Sequence, residues 1–249
     1  MLRNALREYI KECENMKNII PKGLVVSCQA LRHEPLYGGN TIPKMALAAK
    51  MGGAVGIRAN TVRDINGIRK YIGDELPIIG LIKREYPDSP VYITPTLKEV
   101  KALIASQCDV IALDATLRPR PNGATIAELV RYIREHSDKA IMADIATFEE
   151  GVEADKLGFD YISTTMRSYT EQTKGFKIPD PDFISKLLAT VKNATVVAEG
   201  GISSFADLNA VLDTGVKHVI IGGAITRPVG ITQNFVNVFT TNNRFQSDD

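Results

Sequence analysis

The 249-residue sequence lacks the features that mark several large classes of protein. No apolar run approaches the ~20 residues that a membrane-spanning helix needs. The N-terminal stretch carries charges throughout and lacks the apolar core of a signal peptide. The formal net charge is only +1, so no basic surface indicates binding to nucleic acid or to an anionic membrane. We therefore expect a cytoplasmic protein that binds neither.

Cysteine and histidine are also scarce. Cys13, Cys28 and Cys108 form an odd, widely spaced set, which fits a reducing compartment better than a disulfide framework. The three histidines are isolated, and no pair has the spacing of a zinc or di-iron site. The first βα turn lacks G-x-G-x-x-G, which argues against a dinucleotide fold. The sequence thus gives no sign of a metal or of a nucleotide cofactor.

What the sequence does contain is a regular alternation of short apolar runs with amphipathic helical patterns. Such alternation predicts a parallel sheet that is covered by helices. Eight units between residues 22 and 240 fit a single (β/α)8 TIM barrel better than an open sheet. The predicted strands are 23–29, 54–59, 78–83, 110–116, 140–146, 161–166, 195–201 and 218–225, and the last helix is 229–240.

We expect residues 1–249 to form one domain, because no linker or change of composition interrupts the pattern. Residues 1–20 have a helical period with a charged opposite face, which predicts an extra N-terminal helix capping the barrel. Thr61 and Asp64 have the spacing of a capping box at the second helix. Residues 241–249 form a short tail.

The last two apolar runs each end in a pair of glycines, Gly200-Gly201 and Gly222-Gly223, and each pair is predicted to open a helix. Glycine lets the backbone approach a ligand closely, and a helix start offers free N–H groups at a positive dipole end. In this fold the phosphate site usually follows strands 7 and 8. We therefore predict an anion cradle at Gly201, Gly222 and Gly223, with phosphate as the expected ligand.

Catalytic groups of this fold lie at the carboxyl ends of the strands. Lys83 and Glu199 directly follow long apolar runs, on strands that lie opposite each other. A lysine can remove a proton next to a carbonyl if burial and nearby cations lower its pKa. The other polar residues at strand ends are Ser27, Gln29, Arg58, Asn60, Arg84, Asp114, Thr116, Asp144, Thr164, Thr165 and Arg227.

Among these residues, Arg58 is the expected cation beside Lys83 and could stabilise an enolate. Asp144 and Gln29 could hold hydroxyl or amide groups of a ligand. A Schiff-base aldolase that uses Lys83 remains an alternative, as does a barrel that binds a sugar phosphate without turning it over. A metal-dependent epimerase is less favoured, because no histidine lies at a strand end.

Nine motifs together resemble the N-acetylmannosamine-6-phosphate 2-epimerase family. In family order they are G-L-V-V-S-C-Q-A-L, G-G-A-V-G-I-R-A, I-I-G-L-I-K-R, V-Y-I-T-P-T, I-A-L-D-A-T, M-A-D-I-A-T, L-G-F-D-Y-I-S-T-T, A-E-G and G-G-A-I-T-R-P. The resemblance implies a TIM-barrel isomerase of sialic acid catabolism. It implies interconversion of N-acetylmannosamine 6-phosphate and N-acetylglucosamine 6-phosphate without a metal or an organic cofactor.

The resemblance also assigns roles to individual residues. It implies Lys83 and Glu199 as the catalytic pair, and Gly222, Gly223 and Arg227 as phosphate ligands. The implied substrate contacts are Gln29, Arg58 and Asp144. Thr165, at the end of the sixth predicted strand, is a further predicted substrate contact. A homodimer packed through C-terminal elements is implied as well.

The chain departs from the family pattern in its loops. The family commonly has a larger residue at Gly201, and its T-T-L-S-G-Y-T loop is T-T-M-R-S-Y-T here, with Arg167 and Ser168 substituted. The first loop, often E-P-L-H-S-S in the family, reads E-P-L-Y-G-G. None of these departures falls on a residue that the resemblance assigns to catalysis.

Overall fold

The computed structural model describes residues 19–241, and its eight parallel strands close into a barrel in chain order. The strands are β1 (Gly23–Cys28), β2 (Gly56–Asn60), β3 (Ile78–Leu81), β4 (Val110–Asp114), β5 (Ala140–Asp144), β6 (Tyr161–Ser163), β7 (Thr195–Glu199) and β8 (His218–Ile221). The predicted (β/α)8 fold is confirmed.

Helices alternate with these strands along the described part of the chain. They are α1 (Thr41–Met51), α2 (Val62–Ile72), α3 (Leu97–Ile104), α4 (Ile126–His136), α5 (Phe148–Lys156), α6 (Pro181–Thr190), α7 (Phe205–Leu212), α8 (Gly223–Thr226) and α9 (Pro228–Thr241). The helix predicted at residues 1–20 and the tail at 241–249 lie almost entirely outside the described residues. No helix between residues 19 and 241 is long and apolar enough to cross a membrane.

Side chains along each strand alternate between the inside of the barrel and the helix layer. Met142 and Val197 belong to the apolar cluster inside the barrel. Asp144 and Glu199 each lie two residues further along the same strand, so the period of two directs them inward as well. The strand pattern therefore brings apolar groups to the middle of the barrel and charged groups to its carboxyl end.

The opposite end of the barrel is closed by the segment that precedes β1. Ile20 is buried and packs with the apolar cluster inside the barrel. Its backbone N–H donates to the hydroxyl of Tyr161 at 2.9 Å, and its carbonyl lies 3.2 Å from Nε2 of His218. These contacts fill the amino-terminal end, so the carboxyl end is the open one.

Side-chain caps start several helices at defined residues. Capping boxes begin α3, α4, α5 and α7, where Thr96, Thr125, Thr147 and Ser204 each bond reciprocally with an acidic residue three positions on. A cap of this kind stabilises a helix by about 1 kcal/mol. Thr61 caps α2 as predicted, but the carboxylate of Asp64 bonds Arg63 instead of completing a box.

The sequence prediction extends several strands too far at their carboxyl ends. It carries the sixth strand to 166, whereas β6 ends at Ser163 and a short 3-10 turn, Thr164–Met166, follows. The reason is a side-chain bond: the Thr164 hydroxyl donates to the carbonyl of Glu199 and accepts from its N–H. This hydroxyl takes the place of the next backbone pair between β6 and β7.

The two glycine pairs differ from the prediction and from each other. Residues 222–225 are not strand: β8 ends at Ile221, and Gly222 is the cap of α8. The hydroxyl of Thr226 fixes this turn by donating to the carbonyl of Ser27 at 2.8 Å. The pair Gly200-Gly201 does not open a helix directly, because α7 starts only at Phe205.

Candidate active site

A cavity of about 850 Å³ opens at the carboxyl end of the barrel. Most of the site residues predicted from the sequence face this one space, although they come from strands on all sides of the barrel. Those that line it are Gln29, Arg58, Lys83, Thr165, Glu199, Gly201, Gly222, Gly223 and Arg227. The closed parallel topology is what brings them together.

Arg58 and Asp144 form a buried ion pair beneath the cavity. The guanidinium bonds both carboxylate oxygens, with Nη1 at 3.0 Å from Oδ1 and Nη2 at 2.6 Å from Oδ2. Both side chains are fully buried. Nη1 also lies 3.2 Å from Oε2 of Glu199. Burial would lower the pKa of Arg58, but Asp144 and Glu199 outweigh it and raise that pKa, so the group stays charged.

Asp144 is not among the residues that line the cavity. Each of its oxygens bonds Arg58, and Oδ1 also accepts from the hydroxyl of Thr165 at 2.7 Å. The direct contact with substrate that the resemblance implies for Asp144 stays a prediction. In the structure this carboxylate holds Arg58 in place from below.

Lys83 follows β3 and reaches the cavity from the side opposite Glu199. Its backbone N–H donates to Oδ1 of Asn60 at 2.9 Å, which fixes the chain just beyond the strand. Burial lowers the pKa of the Lys83 amine from 10.5 to about 8, and the positive charges of Arg58 and Arg227 act in the same direction. A substantial fraction of the amine is therefore neutral near pH 8.

Glu199 is the last residue of β7, and its side chain is 14% exposed. Burial raises the pKa of its carboxyl above 4.5, and the charge of Asp144 adds to the effect, although Arg58 opposes it. The environments of Lys83 and Glu199 thus favour the neutral form of each group. Two titratable groups with shifted pKa values in one cleft are typical of an acid–base site.

Gln29 presents an acceptor without a partner. Its amide nitrogen donates to Oγ of Ser27 at 2.9 Å. Its oxygen, Oε1, is buried and has no hydrogen-bond partner among the described residues. A buried acceptor of this kind is costly unless a ligand satisfies it. The position suits an N–H or O–H group of a bound molecule.

Arg227 lies just after α8, beside the glycine cap. Its Nε donates to Oε1 of Glu34 at 2.7 Å, so a residue of the first loop orients the guanidinium. Burial would raise the pKa of Glu34, but bonds from the Leu31 N–H and from Arg227 outweigh it and lower that pKa. The sequence reasoning missed Glu34, and only its position in the loop after the first strand marks it.

The departures at Arg167, Ser168 and Gly201 involve one loop, between β6 and α6. Arg167 lies over the rings of Phe176 and Phe183, at 4.5 and 4.3 Å from their centroids. Its guanidinium also bonds Asp180 at 2.8 Å. A Cβ on Gly201 would come within 2.4 Å of the backbone of Ile178, which lies in the same loop. Only glycine fits at 201, so any ligand contact there uses the backbone.

Other residues at or beneath the cavity were not predicted from the sequence. Tyr169 lines the cavity and is 57% exposed, and Ser203 lines it beyond Gly201. Ser163 lies one position before the threonines that the sequence singled out and bonds Thr165 at 2.8 Å. Its inward parity on β6 is the signal that could have found it. Within residues 19–241, no group of histidine, cysteine and acidic residues is arranged to hold a metal ion.

A closed barrel with a charged cavity at the carboxyl end defines the TIM-barrel class of enzymes. Residues 42–241 match a family model described as "Putative N-acetylmannosamine-6-phosphate epimerase". The chain belongs to this family.

Relatives of known name agree with the family match. The "Putative N-acetylmannosamine-6-phosphate 2-epimerase" of Staphylococcus carnosus strain TM300 is 52% identical over 88% of this chain and 97% of the relative. The protein of that name from Staphylococcus aureus strain JH9 is 52% identical over 88% of this chain and 99% of the relative.

Comparison with solved structures also finds a similar epimerase. The N-acetylmannosamine-6-phosphate 2-epimerase of Clostridium perfringens has a TM-score of 0.84 and 48% identity, over 90% of this chain and 96% of that one. An archaeal fructose-1,6-bisphosphate aldolase has a TM-score of 0.54 at 16% identity over 85% of this chain and 91% of that one, and shares the fold alone. The similarities therefore do not favour the aldolase alternative.

Replacing Ser168 by glycine is predicted to stabilise the protein. Ser168 has a positive φ of 71°, which costs a residue with a Cβ about 1–2 kcal/mol. Part of this gain is lost because glycine is freer in the unfolded chain. We expect Ser168→Gly to raise the free energy of unfolding by about 0.5–1 kcal/mol in urea titrations. Ser185→Gly, an exposed position inside α6, should instead lower it by a similar amount. A loss of stability in Ser168→Gly would contradict the backbone argument.

Proposed function

We propose that this protein interconverts N-acetylmannosamine 6-phosphate and N-acetylglucosamine 6-phosphate by removing and replacing the proton at C2. The observation that carries the proposal is the pair formed by Lys83 and Glu199. Both groups face one cavity. Burial lowers the pKa of the Lys83 amine and raises the pKa of the Glu199 carboxyl, which favours the uncharged form of each group. Family membership supports the choice of substrate.

The reaction begins with opening of the sugar ring, assisted by Glu199, which exposes the C1 aldehyde. Neutral Lys83 then removes the proton from C2, which the neighbouring carbonyl acidifies. Arg58 lines the cavity, and its guanidinium can donate a hydrogen bond to the oxygen of the enolate that forms. Protonation on the opposite face of C2 completes the epimerisation. Glu199 is the donor in a two-base scheme, and Lys83 is the donor if the intermediate rotates.

The remaining contacts orient the substrate. The unpaired Oε1 of Gln29 can accept from the amide or a hydroxyl of the sugar. The backbone around Gly222 and Gly223, with Arg227 beside it, forms the proposed phosphate site. Binding energy from this remote phosphate would hold C2 between the acid and the base.

Replacing Lys83 by alanine is predicted to abolish proton exchange at C2. The purified protein is incubated with N-acetylmannosamine 6-phosphate in D2O, and deuterium at C2 is followed by NMR. Loss of the base should slow exchange at least about a hundredfold. Lys98→Ala, an exposed lysine on α3, serves as the control and should exchange normally. Normal exchange in Lys83→Ala would refute the proposed role of Lys83.

Three further results would separate the alternatives. Many turnovers that retain the original hydrogen would rule out a strict two-base scheme. Trapping of a covalent Lys83–substrate adduct by borohydride would favour an aldolase instead. Binding of the sugar phosphate without any C2 exchange in the unmodified protein would support a barrel that binds its ligand without turning it over.

Replacing Arg227 by alanine is predicted to weaken binding of phosphorylated substrate selectively. A charged hydrogen bond to phosphate is lost, so KM for the 6-phosphate should rise about tenfold or more. The value of kcat/KM for N-acetylmannosamine without phosphate should fall less, because Arg227 affects that reaction only through the pKa of Lys83. Arg131→Ala, at an exposed position on α4, is the matched control. Equal losses on both substrates would show that Arg227 does not read the phosphate.

We also propose a homodimer that packs through the C-terminal helix. None of the residues of α9 is buried among the described residues. Val229 and Val236 are each 50% exposed and lie one heptad apart. An amphipathic helix needs a partner surface for its apolar face. A second copy of the chain would supply that surface.

A charge on this helix is predicted to dissociate the dimer. Light scattering after gel filtration should give twice the chain mass for the unmodified protein and a shift toward monomer for Val236→Asp. Asn237→Asp places the same charge on the neighbouring, exposed position and should leave the dimer intact. A monomeric unmodified protein at micromolar concentration would exclude the assembly.

The cellular setting is part of the same proposal. Cys28 and Cys108 are buried free thiols, which suits a reducing cytoplasm. We assign the reaction to the breakdown of sialic acid and related amino sugars. Deleting the gene should abolish growth of its host on N-acetylmannosamine or sialic acid as carbon source, and unchanged growth would contradict the assignment.

A further inference from the structure

The hydroxyl of Thr165 lies between two carboxylates and a second hydroxyl. Its Oγ1 is 2.7 Å from Oδ1 of Asp144 and 2.8 Å from Oε2 of Glu199. It is also 2.8 Å from Oγ of Ser163. A threonine hydroxyl carries one proton and two lone pairs. Thr165 can therefore donate to one of the two carboxylates, but not to both.

Asp144 is the better acceptor of that proton. Both of its oxygens already accept hydrogen bonds from the guanidinium of Arg58, so this carboxyl group is surrounded by donors. If Glu199 were charged as well, its Oε2 would meet a lone pair of Thr165 at 2.8 Å with no proton between them. The hydroxyl of Ser163 does not relieve this contact, because it lies 3.3 Å from the same Oε2.

One additional proton resolves the arrangement. If Glu199 is neutral, its own O–H donates to Thr165, and Thr165 donates to Asp144. Ser163 then donates to the second lone pair of Thr165 at 2.8 Å. Every short contact of the Thr165 oxygen becomes a hydrogen bond of correct polarity. The cavity geometry thus fits a protonated Glu199.

We propose that Thr165 donates its single proton to Asp144 and accepts the proton of a neutral Glu199, and thereby keeps Glu199 ready as the proton donor. The use of that proton rests on the proposed function, whereas the direction of the hydrogen bonds belongs to the resting protein. Thr165 is a positioning residue in this scheme, because it acts through Glu199.

The proton balance of the cycle is closed by solvent. Glu199 delivers its proton to C2 and becomes a carboxylate, which Arg58 Nη1 at 3.2 Å can then hold. Lys83 carries the proton that it removed from the other face of C2. Glu199 regains a proton from water, and Lys83 releases one to water, before the next turnover.

The groups that face Glu199 make the role of Thr165 decisive. Burial and the charge of Asp144 on β5 favour the neutral form of Glu199. Arg58 on β2 and Lys83 after β3 favour the charged carboxylate, and so would a hydrogen bond donated by Thr165. A hydroxyl that donated to Glu199 would lower its pKa further. A hydroxyl that accepts from Glu199 raises its pKa. The two arrangements therefore predict opposite signs when the hydroxyl is removed.

Thr165→Val removes the hydroxyl and keeps the shape of the side chain. The pKa of Glu199 is measured by carbon NMR of protein labelled in the glutamate carboxyls, and Glu199→Gln assigns the signal. Loss of the accepting hydroxyl should lower the pKa of Glu199 by about one unit, the value of one ordinary hydrogen bond. A rise in that pKa would overturn the proposal, because it would show that Thr165 donates to Glu199.

Two further variants guard against a structural artefact. Thr165→Ser keeps the hydroxyl and should keep the Glu199 titration of the unmodified protein. A shift in Thr165→Ser as large as in Thr165→Val would overturn the proposal, because the methyl group would then be responsible. Thr165→Ala removes the same hydroxyl with less bulk and should shift the pKa downward, which covers the case in which valine does not fit.

Kinetics supply the link to catalysis. At a pH above the pKa of Glu199, a fall of about one unit in that pKa leaves about tenfold fewer molecules with a protonated Glu199. We therefore expect kcat of Thr165→Val to fall about tenfold in the plateau of the pH profile, with little change in KM. The acidic limb of the profile should move to lower pH together with the NMR titration. If the unmodified protein shows no C2 exchange at all, the proposed function fails, but the NMR titration still decides the direction of the Thr165 bond.

Discussion

The ion pair between Arg58 and Asp144 is the constraint on which the rest of the site depends. A guanidinium inside a barrel would be very costly without a partner. Asp144 supplies one with two nearly parallel hydrogen bonds, from a strand on another side of the barrel. Replacing such a pair by apolar side chains often leaves a protein equally stable or more so. The pair is therefore better explained by what it does to its neighbours than by stability.

Its main effect is that the two charges largely cancel at the floor of the cavity. Arg58 lowers the pKa of both Lys83 and Glu199, whereas Asp144 raises both. Because these effects oppose each other, burial remains the largest influence at each group. Burial lowers the pKa of the amine and raises that of the acid. Because the charges of Arg58 and Asp144 offset each other, burial alone favours both the neutral amine of Lys83 and the neutral carboxyl of Glu199 in the same cavity.

The fold and most residues of the site can be predicted from the sequence because of the geometry of parallel strands. A strand has a side-chain period of two, and parallel strands of a barrel end at the same rim, so inward residues at strand ends must converge. Lys83 and Glu199 follow from that rule. The same rule cannot tell which side chains meet across the barrel. The bond between Arg58 and Asp144 and the bond that Arg227 donates to Glu34 depend on how far side chains reach between distant segments. The early end of β8 depends on one hydroxyl of Thr226.

The loop departures from the family pattern show how a site tolerates change at its rim. Gly201 leaves room for the backbone of Ile178, and Arg167 ties the same loop to Asp180 and to two aromatic rings. These changes support one another, because the close approach at Gly201 needs the loop to be held where Arg167 holds it. None of them alters the residues beneath the cavity. Contacts between this loop and a ligand can therefore change during evolution. The Arg58–Asp144 pair beneath the cavity is unaffected, and so are the positions of Lys83 and Glu199 beside it.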